Sequence, residues 1–489
     1  MTGRRAVVSG LTIAGWTAVL TGVLIYLLVY IDFAAQLAAY PFDFDQGEGY
    51  DVNSGWLLAQ GGWIYNDNSV FPFYSSNYPP IYSWVLAGLI QIFGVSIGLG
   101  RVLSAVAAGC TVLVIAAGVR RHRAPWAVAG VAGLLYLASP YVFHTTPLAR
   151  VNALAILAAL ATVYAFDRAT PRWTAAGIAL ALIALYTKQT TLDAVAAGIL
   201  YLFCRRWNLG LVALVVIEPL AIAVFVALDY LSIGQFWVNI IAGNVNPFDW
   251  DQAQTYFRDY VSIHLPVVAG AIGSCFWAVW RRRLTAFHLY FMISLPVTLT
   301  AGKWGAGESY FLGNIAAACV CLGWWIGELW GWRGGWVARV LAPVALAWQM
   351  VLFAHGPLDD LVPGWRDRSV QAGVLGTPPS AADVAAGRQL TDYFTRHQGY
   401  VLAEENGFAI ASGLPVVGNA SHLRNLYQSG DWDPAGLVAA IDDRVFGTVV
   451  LSGYHYPEPV MQALLRNYRS AERFWINGFG YLVLVRRDA

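Results

Sequence analysis

Apolar runs recur along this chain from residue 7 to residue 355 and leave few architectures open. With soft ends they cover 7–31, 101–119, 126–142, 149–166, 173–187, 190–204, 209–230, 262–280, 286–301, 310–330 and 337–355. A helix crosses a bilayer with roughly 20 apolar residues, about 17 being the lower limit. Two of the runs are short for crossings. A further run, IYSWVLAGLIQIFG at 81–94, has the length of an interfacial or re-entrant helix. No soluble core absorbs so many runs, and a hydrophobic content of 58% with mean hydropathy +0.53 agrees. The first run follows Arg4 and Arg5 and is too long for a signal-peptide core, so it reads as an uncleaved first span.

Positive charge tests the topology, because arginine and lysine collect in cytoplasmic loops. With the N-terminus inside and 81–94 left out of the count, the inside loops hold Arg120, Arg121 and Arg123; Arg168 and Arg172; Arg205 and Arg206; Arg281 to Arg283; Arg333 and Arg339. If 81–94 crossed, every later cluster would flip outside. The reading is eleven spans, a cytoplasmic N-terminus and an extracytoplasmic C-terminus. A formal net charge of +1 carries no nucleic-acid footprint. The cysteines, Cys110, Cys204, Cys275, Cys319 and Cys321, all lie in apolar runs without metal-ligand spacing and read as packing residues.

The outer surface then holds PFDFDQGEGYD, residues 41–51. It packs Asp43, Asp45, Glu48 and Asp51 into nine positions of a chain only 12% charged. A polar turn would explain glycines at 47 and 49. Apolar and aromatic neighbours, and the Tyr-Pro-Pro that follows, favour a loop pinned at the membrane surface. Clustered acids there suit general-base work on a hydroxyl, one pKa being raised by its like-charged neighbours. The chain has two lysines, Lys188 in YTKQTT and Lys303 in AGKWGAGESYF. Both fall at outer helix ends, as interfacial anchors or as an anion site. The second outer loop, 231–261, holds Asp249 and Asp251, second-choice acids, and Arg258.

From about residue 357 the composition changes. Pro and Gly punctuate HGPLDD, LVPGW and GTPPSAAD. AADVAAGRQLTDYFTRH then reads as an amphipathic helix capped by Ser380. YVLAEE, VFGTVVLS and GYLVLVRR are strand candidates, with helical PAGLVAAIDD and PEPVMQALLRNY between them. This predicts a small α/β domain over 357–489, outside the membrane, after a membrane domain over 1–356 whose first outer loop is 32–100. The domain shows no phosphate loop and no nucleophile elbow, so a substrate-gripping or structural role fits it.

Several segments resemble the GT-C glycosyltransferases of the PMT/ArnT-like group (glycosyltransferase family 39-like). They are DQGEGYDVNSGWLLAQGGWIY (45–65), NYPPIYSWVLAGLIQIFG (77–94), GRVLSAV (100–106), LARVNALAILAAL (148–160), YTKQTT (186–191) and GKWGAGESYFLGN (302–314). Tyr78-Pro79-Pro80, the 81–94 helix and Arg101 stand in the family's order. Two positions depart from its pattern: Gly47-Glu48 with Tyr50 stands where an Asp-Glu pair is frequent, and Asn152 where an Asp is. The base therefore stays open between Asp45 and Glu48.

The resemblance implies an α-helical polytopic fold of about 11 transmembrane helices, with interfacial helices in the first outer loop and the small α/β domain outside. It implies a prokaryotic plasma (inner) membrane enzyme that takes a sugar from a polyprenyl-phosphate-linked donor. The acceptor is a hydroxyl of a glycan, lipid or protein, and the anomeric centre inverts. Lys188, Lys303, Arg150 and Arg258 are the candidates to hold the donor phosphate. Asp43, Tyr50, Tyr78, Pro80, Asn152, Gln189, Asp249, Asp251, Glu308 and Tyr310 are further site candidates. No cofactor is expected, with a divalent metal as the alternative; membrane lipid is a partner and nucleic acid is not. A transporter or flippase of lipid-linked sugars would place its charges mid-span, where Glu218 and Asp193 are the main ones. A non-catalytic scaffold would leave the acidic loop and both lysines without a role.

Overall fold

The computed structural model describes residues 2–332, 335–355 and 378–487. The expected domain boundary at 356/357, Arg333 and the Pro/Gly-rich segments up to residue 377 lie outside the described residues.

The apolar runs are helical where the sequence predicts them. Along the chain stand α1 (Thr2–Ala39), α2 (Glu48–Ala59), α3 (Ile81–Phe93), α4 (Ile97–Arg121), α5 (Trp126–Ala138), α6 (Pro140–Thr145), α7 (Asn152–Asp167), α8 (Pro171–Thr187), α9 (Leu192–Arg205) and α10 (Trp207–Leu231). They are followed by α11 (Gln235–Ile240), α12 (Trp250–Ile263), α13 (Leu265–Trp280), α14 (Ala286–Val297), α15 (Leu312–Trp330) and α16 (Gly335–His355). This is an integral membrane protein. Among the described residues, four helical stretches are long and apolar enough to cross by themselves: 12–39, 97–121, 207–231 and 308–330. α12 and α13 form a fifth if their 87° bend belongs to one broken span. Among the described residues helix length thus supports four or five crossings, and the reading of eleven rests on the apolar runs together with the charge pattern.

α15 is the hub of the bundle. Its sequence LGNIAAACVCLGWWIGELW puts small residues on the faces that meet α4, α5, α13 and α14. Small residues let helix backbones approach where lipid gives no hydrophobic push between helices. A Cβ on Gly323 would come within 2.7 Å of Val119 and 2.9 Å of Ala132. α10 is the opposite case, apolar all round and largely exposed.

The acidic stretch is loop only as far as Gly47. The chain turns helical at Glu48, so Glu48 and Asp51 belong to α2 and not to the expected loop. Gly47 makes the switch in a left-handed conformation (φ 98°), and a Cβ there would meet the Arg150 guanidinium at 2.9 Å.

After residue 378 come α17 (Ala381–Arg396), β1 (Tyr400–Ala403), α18 (Gly407–Ala411), α19 (Ala420–Ser429), α20 (Ala435–Asp442), β2 (Phe446–Leu451), α21 (Glu458–Asn467), β3 (Tyr468–Ile476) and β4 (Phe479–Arg486). Ser380 caps α17 as the sequence predicts, accepting from the Asp383 amide in a reciprocal capping box. The sheet order is β1-β2-β4-β3, with β1 parallel to β2 and the other pairings antiparallel. β3, α18 and α19 are additions to the sequence reading. β3 sits at an edge and carries the polar, outward run RSAER, which hides its strand signal.

This domain is fastened onto the first outer loop. Asp43 accepts from the Gly49 amide (2.7 Å) on one oxygen and from the Gly407 amide (2.5 Å) on the other. Tyr50 donates its hydroxyl to the Glu404 carbonyl (2.6 Å), and the Trp432 indole donates to the Asn68 carbonyl (2.9 Å). A Cβ on Gly49 would lie 2.6 Å from the Gly407 nitrogen, so the two backbones touch.

Candidate active site

Glu48 and Arg101 build the floor. Arg101 lies in the second turn of α4 and is buried. Its Nε donates to Glu48 Oε1 (2.8 Å) and Nη2 to Oε2 (2.7 Å), a bidentate pair. The remaining donors go to the carbonyls of Leu37 (2.6 Å), Tyr40 (2.8 Å) and Phe42 (2.7 Å). All five guanidinium N–H groups are used. Glu48 also accepts from the amides of Ala149 (2.8 Å), Phe44 (2.8 Å) and Asp45 (3.3 Å). Burial by itself would raise the Glu48 pKa, but Arg101 and these amides hold it below the ordinary value. The end of α1, the acidic loop, α2, α4 and the start of α7 converge on this one pair.

Asp45 stands one turn away and differs in kind. It is partly buried, its Oδ1 accepts from the Gln46 amide (2.9 Å), and it lines a cavity of about 310 Å³. Arg150, Asp51, Tyr50, Tyr78, Asn152, Glu308 and Tyr310 line the same cavity. Arg150 Nε lies 3.3 Å from Asp51 Oδ2, an ion pair not aligned as a hydrogen bond, and its Nη1 donates to the Gln46 carbonyl. Burial raises the Asp51 pKa to about 6, against the pull of Arg150 and Lys188. Lys188 sits just behind the wall. Its ammonium donates to Asn152 Oδ1 (2.7 Å) and lies 4.9 Å from the Tyr310 ring centre and 5.9 Å from that of Tyr78. Burial first, then Arg150, push its pKa down to about 7.

The other candidates stand elsewhere. Asp43 is buried in the domain seam, where burial first and then Glu48 raise its pKa to about 7. Pro80 takes the N-cap position of α3. Asp249 caps α12, accepting from the Asp251 and Gln252 amides, while Asp251 and Arg258 are exposed on that helix. Gln189 and Lys303 do not line the cavity. Among the described residues, no three His, Cys, Asp or Glu side chains gather as a metal site.

Residues 77–230 match the family model described as dolichyl-phosphate-mannose-protein mannosyltransferase. The fold of the whole chain matches ArnT from Cupriavidus metallidurans, solved in the apo state and bound to undecaprenyl phosphate. That match has a TM-score of 0.61 at 14% identity and covers 96% of this chain and 98% of that one. The chain therefore has the ArnT fold, and its 77–230 segment resembles that mannosyltransferase family. The apo oligosaccharyltransferase of Archaeoglobus fulgidus shares the fold at TM-score 0.53 and 11% identity, over 95% of this chain and 74% of that one. No curated protein matches the chain in sequence.

Two site features escaped the sequence reading. Asp51 was legible as the fourth acid of its stretch: three residues beyond Glu48 on a helix, it lies on a neighbouring face. The second feature had no sequence signal. α19 of the C-terminal domain closes the cavity with Ser421, His422 and Asn425, and Gln46 Nε2 donates to Ser421 Oγ (2.7 Å).

Proposed function

We propose that this enzyme transfers a sugar from a polyprenyl-phosphate-linked donor to an acceptor hydroxyl, with Asp45 as general base and with inversion. The supporting observation is the division of labour between two acids three residues apart. Glu48 spends its lone pairs on Arg101 and three amides, whereas Asp45 keeps a carboxylate edge on the cavity. Asp45 takes the proton as the acceptor oxygen bonds to the anomeric carbon. The bond from that carbon to the phosphate oxygen breaks on the opposite face, and its electrons leave with the polyprenyl phosphate. Arg150 and Lys188 stabilise that anion. The acceptor is a glycan, lipid or protein whose hydroxyl reaches the cavity. The site faces the extracytoplasmic side of a prokaryotic inner membrane, with the N-terminus in the cytoplasm.

Purified protein given polyprenyl-phosphate sugars should release polyprenyl phosphate, at a rate unchanged by a chelator. Failure of every donor in a broad panel of sugars and acceptors would sink the reading. A pH series adds a second check. Lys188 is cationic below about 7 and neutral above it, and only the cation attracts phosphate. The donor KM should therefore rise between pH 6 and pH 8, and Lys188→Arg, cationic throughout, should flatten that rise. An equally steep rise in Lys188→Arg would assign the titration to another group.

A further inference from the structure

Glu218 takes no part in the chemistry of the cavity. It belongs to α10, which is long and apolar enough to cross the membrane, and it is the twelfth of 25 residues counted from Trp207. At 1.5 Å per residue it stands roughly 16 Å and 20 Å from the helix ends, in the middle of the hydrocarbon. α10 packs on α8 and α9 with Ala213 and Ile217, which join a cluster holding Ala181 and Val195. Glu218 is exposed on the free side. Among the described residues its side chain makes no ion pair and no hydrogen bond.

A second polar group is left open beside it. Pro219 has no N–H, so the Val215 carbonyl lacks its regular helical donor, and Val215 is 59% exposed. Glu218 and Pro219 begin a groove of about 680 Å³ that runs past Ala223 and Ala227 to Tyr230, itself 83% exposed. Lipid tails offer neither donor nor acceptor, so a carboxyl and a free carbonyl at mid-depth are expensive there. The small side chains along the groove let a second helix come close enough to satisfy them.

We propose that this groove is the contact between two copies of the chain, with Glu218 at its centre. Copies in one membrane share an orientation, so a two-fold axis along the membrane normal brings residues of equal depth together. Glu218 then meets Glu218 of the partner subunit. A protonated carboxyl both donates and accepts, so two that face each other close reciprocal hydrogen bonds without water. The Val215 carbonyl, one turn away, is a further acceptor. A head-to-tail contact offers nothing comparable, because among the described residues no lysine or arginine stands at the middle of a membrane-crossing helix. This interface is independent of the chemistry in the cavity.

Full-length protein, labelled with donor or acceptor fluorophores on a C-terminal tag and reconstituted in phosphatidylcholine vesicles, reports self-association by energy transfer over a lipid-dilution series. The wild type should associate. Glu218→Gln, which keeps a donor and an acceptor, should stay within about twofold of it. Glu218→Leu should associate at least about fivefold more weakly, although it makes the helix more apolar. Ala223→Phe, which fills the groove and leaves Glu218 intact, should weaken association as well. These positions lie on the free side of α10, so a thermal melt should show the fold retained. Oxidation in a Cys204→Ser background, which removes the exposed native thiol, checks the position. Ile222→Cys, in the groove, should give a disulfide-linked dimer, and Leu113→Cys, exposed on α4, should not. A chain that is monomeric at every dilution overturns the proposal. A dimer indifferent to both Glu218→Leu and Ala223→Phe overturns it too, since its contact lies elsewhere. Capture by a monomeric chain of a polyleucine transmembrane peptide with a central lysine, but not of the all-leucine peptide, would give the face to a basic helix of another protein instead.

Discussion

Asp45→Asn is expected to lower sugar transfer by about 10²–10⁴-fold, the usual contribution of a positioned general base, with no loss of folded protein. Asn is the same size and keeps an oxygen to accept from the Gln46 amide. No ion pair of Asp45 is disturbed, since among the described residues Asp45 forms none. What disappears is the proposed proton acceptor. Steady-state kinetics with one working donor, beside a thermal melt, checks both halves. Donor KM should stay within a few-fold, because the cations proposed to hold the phosphate, Arg150 and Lys188, are left in place. A folded variant that transfers at the wild-type rate would place the base elsewhere. Asp51 is then the alternative, since it lines the same cavity with a raised pKa.

Arg101→Met should cost about 3–5 kcal/mol of stability, the range for breaking a buried ion pair by removing one partner. The variant strands the Glu48 carboxylate at 0% exposure and takes donors from three carbonyls at the end of α1 and in the acidic loop. Arg101→Lys should recover little, because three donors on one nitrogen cannot reach two carboxylate oxygens and three carbonyls at once. Glu48→Gln should be milder in stability yet strongly impaired in transfer, since Glu48 accepts from the Asp45 amide and sets where Asp45 points. The double variant should cost less than the two single costs added, because the groups share one network. Denaturation of the purified variants measures this. A destabilisation under about 1 kcal/mol for Arg101→Met would mean the pair is no keystone.

Much of the architecture was legible because it is written in local periodicity. Each apolar run became a helix, 81–94 became the short α3, and Ser380 capped the amphipathic α17. Three of the four strands came from short apolar runs. β3 did not, since its middle faces out and its pairing with β4 comes from the fold. The order of Tyr78-Pro79-Pro80, the α3 helix and Arg101 carried the family likeness without any three-dimensional information.

The site is another matter. The sequence shows four acids within nine positions and two lysines in the whole chain. Local pattern alone cannot rank the acids, because a carboxylate's chemistry depends on what surrounds it in space. Glu48 is neutralised by an arginine 53 positions away and an amide 101 positions away. Asp43 is taken by a glycine amide 364 positions away, and the cavity wall that meets Gln46 lies 375 positions on. Among the described residues, those contacts leave Asp45 as the acid of the loop that faces the cavity without an ion pair. Helix and strand propensities are summed over a few neighbouring residues and can be read in order. Desolvation, ion pairing and hydrogen-bond saturation are set by groups brought together from distant segments, so they came into being only when the chain closed on itself.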